Sequence, residues 1–251
     1  MMIWQYSLQT RVYPTRAEMG RAAAKAVSET LRALLERQEE ARMIFAAAPS
    51  QNEFLEALCQ EERVDFSRVV AFHMDEYVGL PADAPQGFGN FLRERLFAKL
   101  PFRRVHYLNG GAADPEAECA RYAALLGERP VDIVCMGIGE NGHIAFNDPH
   151  AADLNDPRDV KVVELDGVCR MQQVHDGCFA RLEDVPERAL TLTASRLRRA
   201  GHHFCIVPAA TKRAAVRRTL YGPVDNACPA TALRLCPDAR LYLDRDSAGE
   251  L

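Results

Sequence analysis

No stretch of this chain approaches the roughly 20 apolar residues a helix needs to cross a bilayer, which excludes a helical membrane span. Surplus positive charge is also missing. With 31 Lys and Arg against 35 Asp and Glu, the net charge is -4 and the pI is about 6.0. Such a balance attracts neither nucleic acid nor an anionic membrane, so an anionic ligand must be met by local positive charge. The eight cysteines, at 59, 119, 135, 169, 178, 205, 228 and 236, contain no CxxC pair, and several sit in apparent strands or helices as small apolar residues do. No Cys/His pair has ligand spacing, and His202-His203 points to opposite faces of an apparent strand, so no metal is expected. The opening Met-Met-Ile-Trp-Gln-Tyr has neither the charged region nor the apolar core of a secretory leader. A reduced, cytoplasmic setting fits these absences. No repeat, low-complexity tract or linker interrupts the sequence, which reads as one domain over 1–251.

What is present is an alternation of two periodicities. Thr15-Arg-Ala-Glu18 has capping-box spacing and opens an alanine-rich helix to about Gln38. Arg42-Met-Ile-Phe-Ala-Ala-Ala48 reads as a buried strand, and Ser50-Gln-Asn-Glu53 as a second capping box opening a helix through Leu58. Strand 67–74, helix 88–99, strand 104–108, helix 114–127 and strand 131–136 follow. Region 151–185 is less regular, with a strand at 160–165 and then loop or short helix, and is a candidate lid. Strands at 189–193, 202–207 and 240–243 and a helix over 212–220 complete the pattern. This predicts an α/β, Rossmann-like, doubly wound and mostly parallel sheet with helices on both faces.

Two strand ends carry chemistry. Gly137-Ile-Gly-Glu-Asn-Gly-His-Ile-Ala-Phe-Asn-Asp-Pro149 follows the apolar run 131–136, and its glycines allow a sharp turn and close approach to a small ligand, Gly139 among them. His143 is thereby displayed where open α/β sheets bind ligands. The run Val69-Val-Ala-Phe-His-Met-Asp-Glu-Tyr-Val-Gly-Leu80 ends in adjacent carboxylates, Asp75 and Glu76. An acid and a base at two strand ends suggest proton-transfer chemistry.

At these two loops the sequence resembles the glucosamine-6-phosphate deaminase family, part of a superfamily shared with 6-phosphogluconolactonases. The matching residues are Met74-Asp-Glu-Tyr-Val-Gly-Leu80 and the 137–149 loop, and similarity extends through Leu108-Asn-Gly110, Val185-Pro-Glu-Arg-Ala-Leu-Thr191 and Thr211-Lys212. Lactonases typically carry Arg where this chain has Tyr77, which favours the deaminase branch. The resemblance implies a Rossmann-like fold, no metal or cofactor, and an amino-sugar phosphate as substrate. It makes Asp75 the group that moves the C2 proton to C1, His143 the group that opens the pyranose ring, and Asp148, usually Glu in the family, the residue that orients His143. Asn141 takes a position that is Asp or Asn in the family.

The phosphate end departs from the family pattern. Its Gly-rich turn is replaced by Pro49-Ser-Gln-Asn-Glu-Phe54, leaving Ser50, Gln51 and Asn52 as the expected anion donors, with Glu53 close by. A family Arg falls near His175, and Lys212 matches a phosphate-binding lysine. Glu76 and Gly139 complete the expected binding set. The chain ends soon after the last strand, without the C-terminal helix of larger allosteric members, so that form of regulation is not expected; a homo-oligomer remains compatible. Three functions stay open: a glucosamine 6-phosphate deaminase, a divergent member acting on another amino-sugar phosphate such as galactosamine 6-phosphate, and a catalytically silent sugar-phosphate-binding protein.

Overall fold

The computed structural model describes residues 8–250, so the leader reading of segment 1–6 and the chain end at Leu251 lie outside it. The elements run β1 (Gln9–Tyr13), α1 (Arg16–Leu35), β2 (Ala41–Phe45), α2 (Asn52–Cys59), β3 (Val69–His73), β4 (Asp75–Tyr77), α3 (Phe88–Leu92), β5 (Arg104–His106) and α4 (Pro115–Gly127). Then come β6 (Ile133–Met136), β7 (Val160–Glu164), α5 (Gly167–His175), β8 (Arg188–Leu192), α6 (Ala194–Arg198), β9 (His202–Val207), α7 (Arg213–Tyr221), β10 (Ala239–Asp244) and α8 (Arg245–Ala248). Seven strands pair in parallel in the order β1-β10-β9-β6-β2-β3-β5.

Alternation along the strands puts helices on both faces, because successive side chains point to opposite sides. Met43 and Phe45 of β2 pack in one apolar cluster with Met19, Val27 and Leu31 of α1 and Phe54 and Leu58 of α2. Ile44, between them, packs in the other with Tyr122 and Leu126 of α4 and Val216 of α7. β3 divides likewise, Val69 and Ala71 against Val70 and Phe72. The doubly wound, mostly parallel architecture expected from the sequence is therefore present. No helix among the described residues is long and apolar enough to cross a membrane, and all eight cysteines are free thiols.

Several local expectations change. Thr15 caps α1, accepting from the Glu18 amide at 3.2 Å. The second capping box does not form: the chain turns tightly over Pro49–Gln51, no side chain caps α2, and Glu53 pairs with Arg16 at 2.9 Å. A nearby guanidinium attracts that carboxylate more strongly than a backbone amide does. The helix expected over 88–99 is α-helical only over Phe88–Leu92 and widens into a π-helical turn over Arg93–Phe97. β1 has no counterpart in the sequence reading because its Gln-Thr-Arg-Val-Tyr is an exposed edge strand without an apolar run. β4, β8 and β7 form a separate antiparallel sheet, so the 160–165 and 189–193 strands leave the main sheet.

The strand order creates the site. From β2 the chain winds outward through β3 to β5, and from β6 it winds the other way through β9 to β10. The carboxyl ends of β2 and β6 therefore flank the point where winding reverses, where a crevice opens in such sheets.

After β9 the backbone of Ala209 stands at φ 83° and ψ 145°, close to a region that is essentially confined to glycine. Asp244 holds it there, its two carboxylate oxygens each accepting from the Ala209 amide at 3.2 Å. Ala209→Gly is expected to stabilise the fold by about 1 kcal/mol, since the strain relieved exceeds the entropy that glycine adds to the unfolded chain. Urea denaturation checks this; an unchanged or lower midpoint would refute it.

Candidate active site

A narrow, open crevice lies at the switch point, between the chain segments that follow β2 and β6. One wall is the turn after β2, Ala46 to Ala48 with Ser50 and Gln51; the other is Gly137, Ile138, Gly139 and His143 after β6. Asp75, Phe146, Gln172, Gln173 and Lys212 close it.

Asp75 reaches the crevice because β3 stops at His73 and Met74 turns the chain into β4. His73 fixes that turn. It is fully buried, its Nδ1 lies 2.9 Å from the Asp75 carbonyl oxygen, and its Nε2 accepts from the Leu108 amide at 2.9 Å. Because Nε2 faces a donor and Nδ1 an acceptor, the proton sits on Nδ1. Burial pushes the His73 pKa down to about 4, so the ring is neutral near neutral pH. The Asp75 carboxyl is itself buried, and burial together with the neighbouring Glu76 charge raises its pKa well above the carboxylate range.

His143 is held by a closed network. Asn141 Oδ1 accepts from the His143 amide at 2.9 Å, which orients the Asn141 side chain, and Asn141 Nδ2 donates to Asp148 Oδ1 at 2.9 Å. His143 Nδ1 lies 2.8 Å from Asn141 Oδ1 and 3.0 Å from Asp148 Oδ1. Both neighbours are acceptors, so Nδ1 carries the proton and Nε2 is left as the nitrogen that can take one. Burial opposes charge on Asp148, but the contacts from His143 and Asn141 outweigh it and hold its pKa below the usual range. Asp148 thus reaches the ring despite having one methylene fewer than Glu. A side chain at Gly139 is impossible here, since its Cβ would lie 2.1 Å from the imidazole. His143, Asp148 and Cys169 place potential metal-ligand atoms within 4.8 Å of one another, although Nδ1 and Oδ1 already bind each other.

The opposite end carries one ammonium. Lys212 is 5% exposed, and its Nζ has no hydrogen-bond partner among the described residues. Burial lowers its pKa, and Asp176 and Glu140 partly offset that. No other Lys or Arg lines the crevice among the described residues. Gln51 donates from Nε2 to the Ile206 carbonyl oxygen at 3.0 Å, which leaves its buried Oε1 without a donor. An unpaired buried ammonium is costly, and a bound anion is the simplest compensation.

Three of the expected residues lie elsewhere. Glu76, next along β4, points away from Asp75 because side chains alternate on a strand. Its carboxylate accepts from the amides of Tyr77, Phe88 and Gly89 at 3.0, 2.9 and 2.8 Å, anchoring the start of α3 beside a second cleft. Asn52 faces α2's neighbour, its Oδ1 accepting from Arg95 Nε at 3.0 Å. His175 is 56% exposed, with Nδ1 3.6 Å from Glu140, because it lies on the outer face of α5. The same helix turns Gln172 and Gln173 inward instead. Those two, with His73, were missed in the sequence; the adjacent glutamines of an irregular region had no periodic pattern to mark a face. Tyr77 is buried beside Phe88, Phe146 and Phe179, with ring centroids 4.8, 5.4 and 5.5 Å away, a setting that offers a charged side chain no partner.

With this geometry described, comparison with known proteins is direct. Residues 14–241 match the model of the glucosamine-6-phosphate isomerases/6-phosphogluconolactonase family. A glucosamine-6-phosphate deaminase of Listeria innocua is 37% identical over 212 residues, covering 84% of this chain and 88% of the relative. A protein of the same name from Bacillus thuringiensis is 33% identical over 236 residues, covering 94% and 86%. The solved structure of a monomeric glucosamine-6-phosphate deaminase superposes with a TM-score of 0.87 at 28% identity, covering 96% of this chain and 99% of that one. The matched region includes both strand-end loops, the crevice between them and Lys212, and the chain belongs to the glucosamine-6-phosphate isomerase/6-phosphogluconolactonase family.

Proposed function

We propose that the protein converts glucosamine 6-phosphate to fructose 6-phosphate and ammonia. The observation that carries this reading is the buried Lys212 ammonium, without a hydrogen-bond partner among the described residues, in the same crevice as Asp75 and the held His143. It supplies a contact for phosphate at one end and proton-transfer groups at the other. The relatives named as deaminases support the reaction class.

The chemistry follows from the groups. His143 Nε2 takes the O1 proton of the closed sugar and delivers it to the ring oxygen, opening the pyranose to the aldehyde. The C2 proton is then acidic, and ionised Asp75 removes it and returns it to C1, converting the enolamine to a ketimine. Water adds at C2 and ammonia leaves. The raised Asp75 pKa makes it a stronger base than an exposed carboxylate once ionised. Asn141 and Asp148 keep His143 in the required tautomer, and Ser50, Gln51 and Gly139 shape the crevice around the substrate.

Purified protein given glucosamine 6-phosphate is expected to release ammonia and fructose 6-phosphate one for one. Galactosamine 6-phosphate and unphosphorylated glucosamine are the controls. Ammonia from galactosamine 6-phosphate alone would establish the divergent-substrate reading, and silence on every sugar would leave a binding role.

A further inference from the structure

We propose that His73 is a positioning residue for Asp75, its imidazole tying the first residue of the small antiparallel sheet back to the main sheet. The proposal rests on the deaminase reading above for its kinetic consequences. Between β3, ending at His73, and β4, beginning at Asp75, the chain passes from one sheet to the other over the single residue Met74. The Met74 carbonyl oxygen turns to β8, accepting from the Leu192 amide at 2.8 Å. Carbonyls alternate along an extended chain, so that of Asp75 faces the opposite side, where β4 is the edge of its sheet among the described residues. His73 Nδ1 meets it there at 2.9 Å.

The donor is itself held from the main sheet. β5 ends at His106, opposite Phe72 and one residue short of His73. The Tyr122 hydroxyl of α4 takes over, accepting from the His73 amide at 3.0 Å and lying 2.9 Å from the His73 carbonyl oxygen. Just past β5, the Leu108 amide donates to Nε2 at 2.9 Å, which leaves Nδ1 as the protonated nitrogen. Both ring nitrogens and both backbone groups of His73 are thus engaged, and His73, Met74, Leu108 and Tyr122 are all buried. The imidazole spans the step between the sheets, and the next side chain beyond it is the Asp75 carboxyl in the crevice wall. His73 itself is not among the residues that line the crevice. Without the Nδ1–H bond the Asp75 carbonyl loses this partner and the start of β4 is free to shift, carrying the carboxyl away from C2 of a bound sugar.

Two variants separate this tie from general support of the fold. Asn Nδ2 lies near the position of His Nδ1, and the Gln carboxamide near that of Nε2. His73→Asn therefore keeps a donor for Asp75 and leaves the Leu108 amide without its acceptor, while His73→Gln does the reverse. Each loses one buried bond, and both are expected to melt about 5 °C below wild type. Only kcat should tell them apart. The asparagine variant is expected to stay within about threefold of wild type, and the glutamine variant to lose about 30-fold in kcat with KM within about twofold, as displacement of a reacting group does. Titration of the Asp75 carboxyl, followed by its carbon resonance and identified by its loss in Asp75→Asn, is a readout that needs no turnover. The midpoint is expected to hold in His73→Asn and to fall toward the ordinary carboxylate value in His73→Gln, where the carboxyl gains access to solvent. Equal kcat in the two variants, or an unchanged Asp75 midpoint in the glutamine variant, would overturn the proposal. Should wild type release no ammonia, the deaminase reading fails, and the Asp75 midpoints still decide the role of His73.

Discussion

Asp75→Asn is expected to lower ammonia release by about 10³-fold while making the folded protein more stable. The loss follows from removing the only base placed to face C2 in the proposed reaction. The gain follows from burial. In the unfolded chain the Asp75 proton leaves near the ordinary carboxylate pKa of about 3.9, whereas in the fold burial and Glu76 hold it to higher pH. Between those two values the unfolded state binds fewer protons than the native state, so stability falls as pH rises through that window. Asparagine does not titrate. The variant's advantage should therefore be absent below the unfolded pKa, grow as pH rises, and level off above the native pKa. Denaturant midpoints at a series of pH values measure it. A pH-independent difference, or a loss of stability at neutral pH, would show that Asp75 is not buried as a strained acid. In the wild type, the acidic limb of kcat/KM should lie above the ordinary carboxylate range for the same reason.

The second large effect is expected at the other end of the crevice. Lys212→Met should raise KM for glucosamine 6-phosphate by about 100-fold, the worth of a charge-assisted contact to phosphate in a buried site. Activity on unphosphorylated glucosamine, however low, should be unchanged. Methionine preserves much of the packed stem and removes an ammonium that has no hydrogen-bond partner among the described residues, so the variant should unfold at a higher temperature than wild type. The pH dependence has a definite sign. Burial lowers the Lys212 pKa, so between its native and unfolded values the unfolded chain binds more protons, and wild-type stability rises with pH across that window. That rise should be absent from Lys212→Met. An unchanged KM would place the phosphate elsewhere, and a lower melting temperature would show that Nζ is paired in solution.

How much of this was readable in advance differs sharply between residues. Runs such as 69–73 and 133–136 announced themselves as strands because both faces of a parallel sheet are buried, leaving continuous apolar sequence. β1, half outside that environment on the sheet edge, left no such trace. His143, Asn141 and Asp148 lie within one short loop, so their meeting could be anticipated from local spacing. Glu76 was misplaced because nothing local announces that residue 75 begins a new antiparallel sheet, whose pairing with β8 turns Asp75 to the crevice and Glu76 to the amides of α3. His175 was misplaced for a related reason. The helix that presents Gln172 and Gln173 inward has to be docked before its inner face is known.

The sequence by itself determined the alternating α/β architecture, the two strand-end loops and their acid and base, because burial periodicity and turn geometry act over a few residues. Only the tertiary structure decided which polar groups would be left without partners. Among the described residues Lys212 Nζ and Asp148 Oδ2 have no hydrogen-bond partner because of elements distant in the chain, and His73 is locked between Asp75 and Leu108 for the same reason. A buried charge is set by everything packed around it, and that packing is assembled from β2, β4, β6, α5 and the turn before α7, which no local pattern brings together.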